Sequence, residues 1–269
     1  MSIDSQLCFD YIEKKGAVLL CENSAPFPGH NSISEGALTE FLQLYERPEI
    51  LKKVEKESVR FAFPAPNAQS YKVVLSRSAR GFVAYVRKFW GHNLPTLEAW
   101  QAPDKLKSLL NLKQGLILFA EKPHAHSGVL AAAFMQEYSK NKGLHIKNLS
   151  FVEDLPKVLP GSFITASQNS SSIPNFQNQA DAYFWGEIAS EQIPQVVASA
   201  STGGLVVASI GAHNLEGAVQ LCQANLSTKE THLPTLLRQH LAAVVFCSEL
   251  PAGNPEPYQW NINVFKTTS

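Results

Sequence analysis

The sequence predicts an α/β protein in two parts, a small α+β region followed by a larger domain built on a mostly parallel sheet. Three observations predict it. Between residues 115 and 250, short apolar runs alternate with helix-forming stretches, the pattern that buries a parallel sheet between helices. Between residues 59 and 89 the period switches to two, with Val, Phe and Tyr alternating between turn signals, as in an antiparallel meander. The 269 residues, 45% of them hydrophobic, are enough for one large core or two small ones.

Taken in order, Ser5–Lys15 carries Leu7, Tyr11 and Ile12 on one side of an amphipathic helix. Ala17–Cys21 reads as a short strand, and Glu22–Asn31, with two prolines and Gly29, as a loop. Ser34 caps a helix over Glu35–Tyr45, in which Leu38, Phe41, Leu42 and Tyr45 recur at helical spacing. Pro48–Glu57 is a second, charged helix. The meander strands are Val59–Phe63, Tyr71–Ser76 and Phe82–Phe89, with turns at Pro64–Gln69 and Ser78–Gly81. Residues 1–91 thus form the α+β domain, residues 92–103 a linker anchored by Trp100, and residues 104–269 the α/β domain. In the latter, Asp104–Asn111 is a short helix. Strands are expected at Gly115–Ala120, Ile146–Val152, Ala182–Trp185, Gly204–Ile210 and Ala243–Leu250. Helices are expected at Leu130–Lys142, Gln192–Ala200, Leu215–Ala224 and Leu233–Leu241. Ser167–Asn178, polar and low in charge, reads as a mobile surface loop. Tyr258–Lys266 alternates as an edge strand would.

Composition excludes several classes. A formal net charge of zero and a pI near 7.1 argue against a non-specific nucleic-acid binder. Cys8, Cys21, Cys222 and Cys247 form no CxxC pair, which suits a reducing cytoplasm rather than a disulfide framework or a zinc site. The acidic start of MSIDSQLCFDYIEKK is unlike a signal peptide, and no 18-residue apolar run is present, so a soluble, cytoplasmic protein is expected. His124 and His126 lie two apart with no third ligand evident, so no metal is expected there. No Ser-His-Asp spacing or GxSxG elbow stands out.

The informative stretch is Gly115–Val129, GLILFAEKPHAHSGV, where an apolar strand leads through a tight connection, Glu121–Gly128, into an Ala- and Leu-rich helix. A phosphate-binding loop at such a connection needs glycines for close backbone approach, a Lys for the β- and γ-phosphates and a Ser/Thr hydroxyl for Mg²⁺, hence GxxxxGK[ST]. This loop has the length and not the chemistry. Glu121 and His126 stand at the glycine positions, Ser127 at the Lys position and Gly128 at the Ser/Thr position, leaving Lys122 as its sole lysine. The reading is a nucleotide-binding fold whose nucleotide site has been dismantled.

From about residue 59 to 265 the ordered set of segments resembles the PilT-like, type II–IV secretion-type ATPases, which include the retraction motor of type IV pili. RFAFPAPNAQSYKVVLSRSARGFVAYVRKF resembles the family's N-domain strands, including Arg80–Gly81 and Arg87, and LPTLEAW resembles its linker. GLILFAEKPHAHSGVLAAAFMQEYSKNK resembles the Walker A strand, loop and helix, DAYFWGEI the Walker B strand, and TGGLVVASIGAHN the segment holding the His box. The resemblance implies a RecA-like domain preceded by a small, PAS-like N-terminal domain. It also implies where the chemistry is broken. The Asp box falls at Ser150–Phe151, with Glu153 and Asp154 only nearby, and the His box at Gly211, with His213 beyond Ala212. Gly186 and Glu187 remain as residual Walker B, and Arg80 and Arg87 as the arginines that in the family reach a neighbouring subunit. No segment resembles the family's helical C-terminal domain, an expectation that argues against an independent retraction motor.

The expected function is that of a pseudo-ATPase without cofactor. It would regulate, and most simply inhibit, a type IV pilus or secretion motor by contact with the motor ATPase or its inner-membrane platform. It would be cytoplasmic, with the motor complex holding it at the inner membrane. Two other readings stay open: a working NTPase subunit with a non-standard loop, using Lys122, Glu187 and a neighbour's arginines, and an unrelated α/β binding domain. Nucleotide titration separates the first two, and the order of strands in the sheet tests the third.

Overall fold

The structure is a computed structural model that describes residues 49–54, 58–64, 70–78, 81–89, 94–121, 127–140, 142–150, 162–166, 180–227, 232–249 and 258–265. The elements expected before residue 49, the loop at Ser167–Asn178, and His124 with His126 lie outside the described residues. The chain divides into two compact units, Met1–Gly91 and His92–Ser269.

In the first unit a short helix α1 (Ile50–Val54) precedes three antiparallel strands in the order β1 (Val59–Pro64), β2 (Ser70–Ser78), β3 (Gly81–Phe89). Ile50 and Val54, four apart on one helix face, are buried, as is Leu75 on β2. The meander is the one its alternating residues predict, with Val59 opposite Leu75 and Leu75 opposite Ala84.

In the second unit a seven-stranded sheet runs in the order β10-β9-β4-β8-β7-β5-β6. The strands are β4 (Gly115–Glu121), β5 (His145–Asn148), β6 (Phe163–Ala166), β7 (Ala182–Glu187), β8 (Leu205–Gly211), β9 (Leu241–Glu249) and β10 (Tyr258–Val264). All neighbours pair in parallel except β10, which lies antiparallel on β9 as an edge strand. The helices are α2 (Asp104–Ser108), α3 (Ser127–Ser139), α4 (Ile193–Ala200), α5 (Leu215–Ser227) and α6 (Leu233–His240).

The central strands are apolar on both faces because helices cover both. Along β4, Ile117 and Phe119 join one core with Leu130, Phe134 and Tyr138 of α3. Leu116, Leu118 and Ala120 join the other, with Ile193, Val197, Leu226 and Leu237 of α4, α5 and α6. Period two thus sorts one strand into two cores. Phe119 and Phe134 pack with ring centroids 5.4 Å apart, and Phe134 stacks on Tyr138 at 6.4 Å. Residues 92–103, read as a linker, contribute Leu94, Leu97, Trp100 and Ala102 to the α3-side core, and Trp100 meets Tyr258 of β10 at 5.0 Å.

Several boundaries differ from expectation. Helix α3 starts at Ser127 rather than Leu130 and ends at Ser139, so Ser127 and Gly128 are helical, not loop. Strand β5 ends at Asn148, because the Asn148 side-chain oxygen accepts from the Ser150 N–H (3.1 Å) and hydroxyl (2.6 Å) and turns the chain out of the sheet. Strand β9 begins at Leu241, directly at the end of α6. Strand β6, four residues long beside β5, was not anticipated.

Phe134→Ala, which empties the centre of the α3-side core, is expected to cost about 3–5 kcal/mol in urea unfolding. Lys107→Ala on the exposed face of α2 should stay within about 0.5 kcal/mol.

Candidate functional site

The strands that carry the sequence-predicted residues end side by side. Glu121, last in β4, stands in register with Gly211, last in β8, and Glu187, last in β7, stands in register with Ser209 of β8. Glu121, Gly211 and Glu187, which the resemblance gives to the nucleotide loop, the His box and Walker B, therefore share the carboxyl edge of the sheet. In open α/β sheets this edge is where ligands bind.

Helix α3 begins at this edge. Its first turn carries Ser127 and the buried Gly128, the positions that the resemblance gives to a phosphate-binding Lys and a Mg²⁺-binding hydroxyl, at the helix end whose dipole favours negative charge. Lys122, His124 and His126 lie outside the described residues, as does Arg80 of the first unit.

Glu187 is placed by a defect in β7. The register slips between Phe184, opposite Val207, and Gly186, opposite Ala208, leaving Trp185 as an extra residue. Gly186 has φ +60°, a conformation that costs an L side chain roughly 1–2 kcal/mol. Without the bulge Glu187 would fall opposite Ile210, whose side chain belongs to the core away from α3. With it, Glu187 falls opposite Ser209, on the face of Val207 and therefore of α3. The bulge moves one half-buried carboxylate to the face where the loop enters α3. The ladder resumes at once, with the Ile188 N–H donating to the Ser209 carbonyl at 2.8 Å.

Sequence reasoning missed Ser209. Its hydroxyl is fully buried with no hydrogen-bond partner, as is the indole N–H of the bulged Trp185. A glycine inside an apolar strand and just before a carboxylate was the available signal for the bulge. Nothing in the sequence marked Ser209.

The other predicted positions are not drawn together. Ser150, at the Asp-box place, is turned onto Asn148, while Phe151, Glu153 and Asp154 lie outside the described residues. His213 is exposed past the buried Ala212, and Asn214 next to it caps α5 by accepting from the Gly217 N–H at 2.7 Å. Arg87 lies on β3 in register with Lys72 of β2. Arg60 of β1 stands in register with Val74 of β2. Among the described residues no cluster of His, Cys, Asp and Glu could hold a metal ion, and no helix is long and apolar enough to cross a membrane. Burial pushes the Cys222 thiol up to about 12, so it is no nucleophile.

Gly186→Ala is expected to cost about 1–2 kcal/mol of stability, and Gly186→Asn less, because Asn tolerates the left-handed region. Equal stability of all three proteins in urea would show that the bulge is not held by a left-handed residue.

No family model matches the chain. It is 27% identical over 175 residues to the type IV pilus ATPase PilU of Pseudomonas aeruginosa, a match that covers 62% of this chain and 46% of that protein. The chain thus spans about half the length of the curated relative it matches. Its fold is shared with the ATPase DotB of Legionella pneumophila, with TM-score 0.67, 11% identity and coverage of 97% of this chain and 80% of that one. The pilus retraction motor PilT with bound ADP gives TM-score 0.67 and 15% identity, over 99% of this chain and 84% of that one. The expected RecA-like α/β fold is therefore present, shared with these two ATPases, and the sequence similarity is to a type IV pilus ATPase over part of the chain.

Proposed function

We propose that this chain is a pseudo-ATPase that regulates, most simply by inhibiting, a type IV pilus or related secretion motor through protein contact. The observation that carries the reading is the first turn of α3. The strand, connection and helix of a nucleotide site are kept, but Ser127 and Gly128 occupy the turn where an ammonium and a Mg²⁺-binding hydroxyl are needed. Glu121, at the end of β4, adds a carboxylate at the position of the first glycine.

Contact is supported by the first unit. Backbone register pairs Lys72 with Arg87 and Arg60 with Val74. With Arg80 and Arg87 at the positions that the resemblance gives to arginines reaching a neighbouring subunit, the basic residues of this unit suit contact with an acidic partner surface. The partner is then a motor ATPase or the inner-membrane platform on which such motors dock, and the site of action is the cytoplasmic side of that membrane. A second reading, a non-standard NTPase subunit of such a motor, is favoured by one feature only: the bulge at Trp185–Gly186 still presents Glu187 to the face of α3.

Purified protein is expected to show no ATP hydrolysis above background. Rebuilding the loop with Glu121→Gly, His126→Gly, Ser127→Lys and Gly128→Ser should still give none, because catalytic groups that act as a unit fail together. Turnover by the native protein that disappears in Glu187→Gln supports the second reading instead.

Arg80→Glu and Arg87→Glu are expected to weaken partner binding, by several kcal/mol if the charge is packed and by little if it lies on a rim. Ser127→Ala and His126→Ala should leave binding unchanged. The variants are compared by pull-down from the native cell and in a pilus-dependent assay, after circular dichroism shows that each folds. Loss of the effect in the loop variants alone would make the degenerate loop the working surface.

A further inference from the structure

The other edge of the same sheet carries a cleft that the proposed function does not use. It encloses about 710 Å³ at the amino ends of β5, β7 and β8, and its walls include Lys113, Tyr138, Lys142, Asp181 and the turn Thr202–Gly204. Its size falls within the range of small-molecule sites. A Cβ built at Gly203 would meet nothing within 4 Å, so this wall is open.

The charges in the cleft are unbalanced, and that of Lys142 is held in place. The Lys142 ammonium donates to the Leu110 carbonyl at 2.7 Å and lies 4.0 Å from the centre of the Tyr138 ring. Those two partners fix it in place without neutralising it, and an ammonium has three donors. Burial alone pushes its pKa down, the direction expected of a cation short of counter-charge. Lys113 adds a second ammonium. Among the described residues neither forms an ion pair, whereas Lys140 nearby pairs with Glu137 at 2.7 Å. The one carboxylate of the cleft, Asp181, uses its Oδ2 to accept from the His145 N–H at 2.8 Å, which leaves one oxygen for a donor. Burial first, and then the Asp181 charge, push the Tyr138 hydroxyl up, so it remains a neutral donor.

We infer that this cleft binds a small phosphorylated metabolite of about nucleotide size. The phosphate lies between Lys113 and Lys142, and a hydroxyl or amine of the same molecule meets Asp181. The site is separate from the degenerate loop at the carboxyl edge, and the inference does not depend on the proposed function.

Inorganic pyrophosphate is the probe, titrated into the full chain by calorimetry and followed by amide chemical shifts. Saturable binding is expected, with shifts at Lys113, at Lys142–His145 and at Thr202–Gly204. Lys113→Ala and Lys142→Ala should each weaken it about tenfold, and Lys142→Arg should retain it. Ser127→Asp, at the other edge, should leave it unchanged. Lys142 also ties down Leu110, so Lys113→Glu, on an exposed residue, carries the test if Lys142→Ala fails to fold. Absence of saturable binding up to about 10 mM overturns the inference. So does affinity unmoved by Lys113→Glu, or shifts confined to residues 121–128.

Discussion

The structure depends on β4 being buried from both sides and along both edges. Its Leu116–Ala120 backbone pairs with β8 on one edge and β9 on the other, while its side chains alternate between two helix-covered cores. Every other placement follows from that strand. Helix α3 must leave its carboxyl end, β8 must end beside Glu121, and β7 must end beside β8. The positions of Ser127, Gly211 and Glu187 are thus consequences of core packing, and the scaffold stands whether or not those residues can do chemistry.

The bulge in β7 is the exception to this indifference. Core packing alone would favour an unbroken register, since a left-handed residue and an unpartnered Trp185 indole N–H both cost stability. The result is one carboxylate turned to the α3 face beside an equally unpartnered Ser209 hydroxyl. A left-handed glycine and two unpartnered buried polar groups thus meet within a few residues of Glu187.

Legibility in the sequence followed burial. Strands β4, β8 and β9, apolar on both faces, read as continuous runs and came out within two residues of their observed ends. The meander was equally plain, because one buried face imposes strict alternation. Strand β6 escaped because four residues at a sheet edge carry too little pattern. The start of α3 was read three residues late, since Ser127 and Gly128 are poor helix formers held in the helix by the strand before and the core beneath. The site was legible only as substitutions in a motif known from a resemblance. Ser209 and the slip at Trp185 were not legible, because both are facts of register between strands far apart in sequence.

The pairing of β4 with β9 spans about 120 residues of chain. During synthesis at about 5–20 residues per second, β4 waits roughly 6–24 s after it emerges before its second neighbour exists. Over that interval LILFA, with no charge and no proline, offers an open strand edge to any other chain nearby. The same long-range pairing that buries β4 in the finished sheet therefore leaves it the segment most open to pairing with another chain during synthesis.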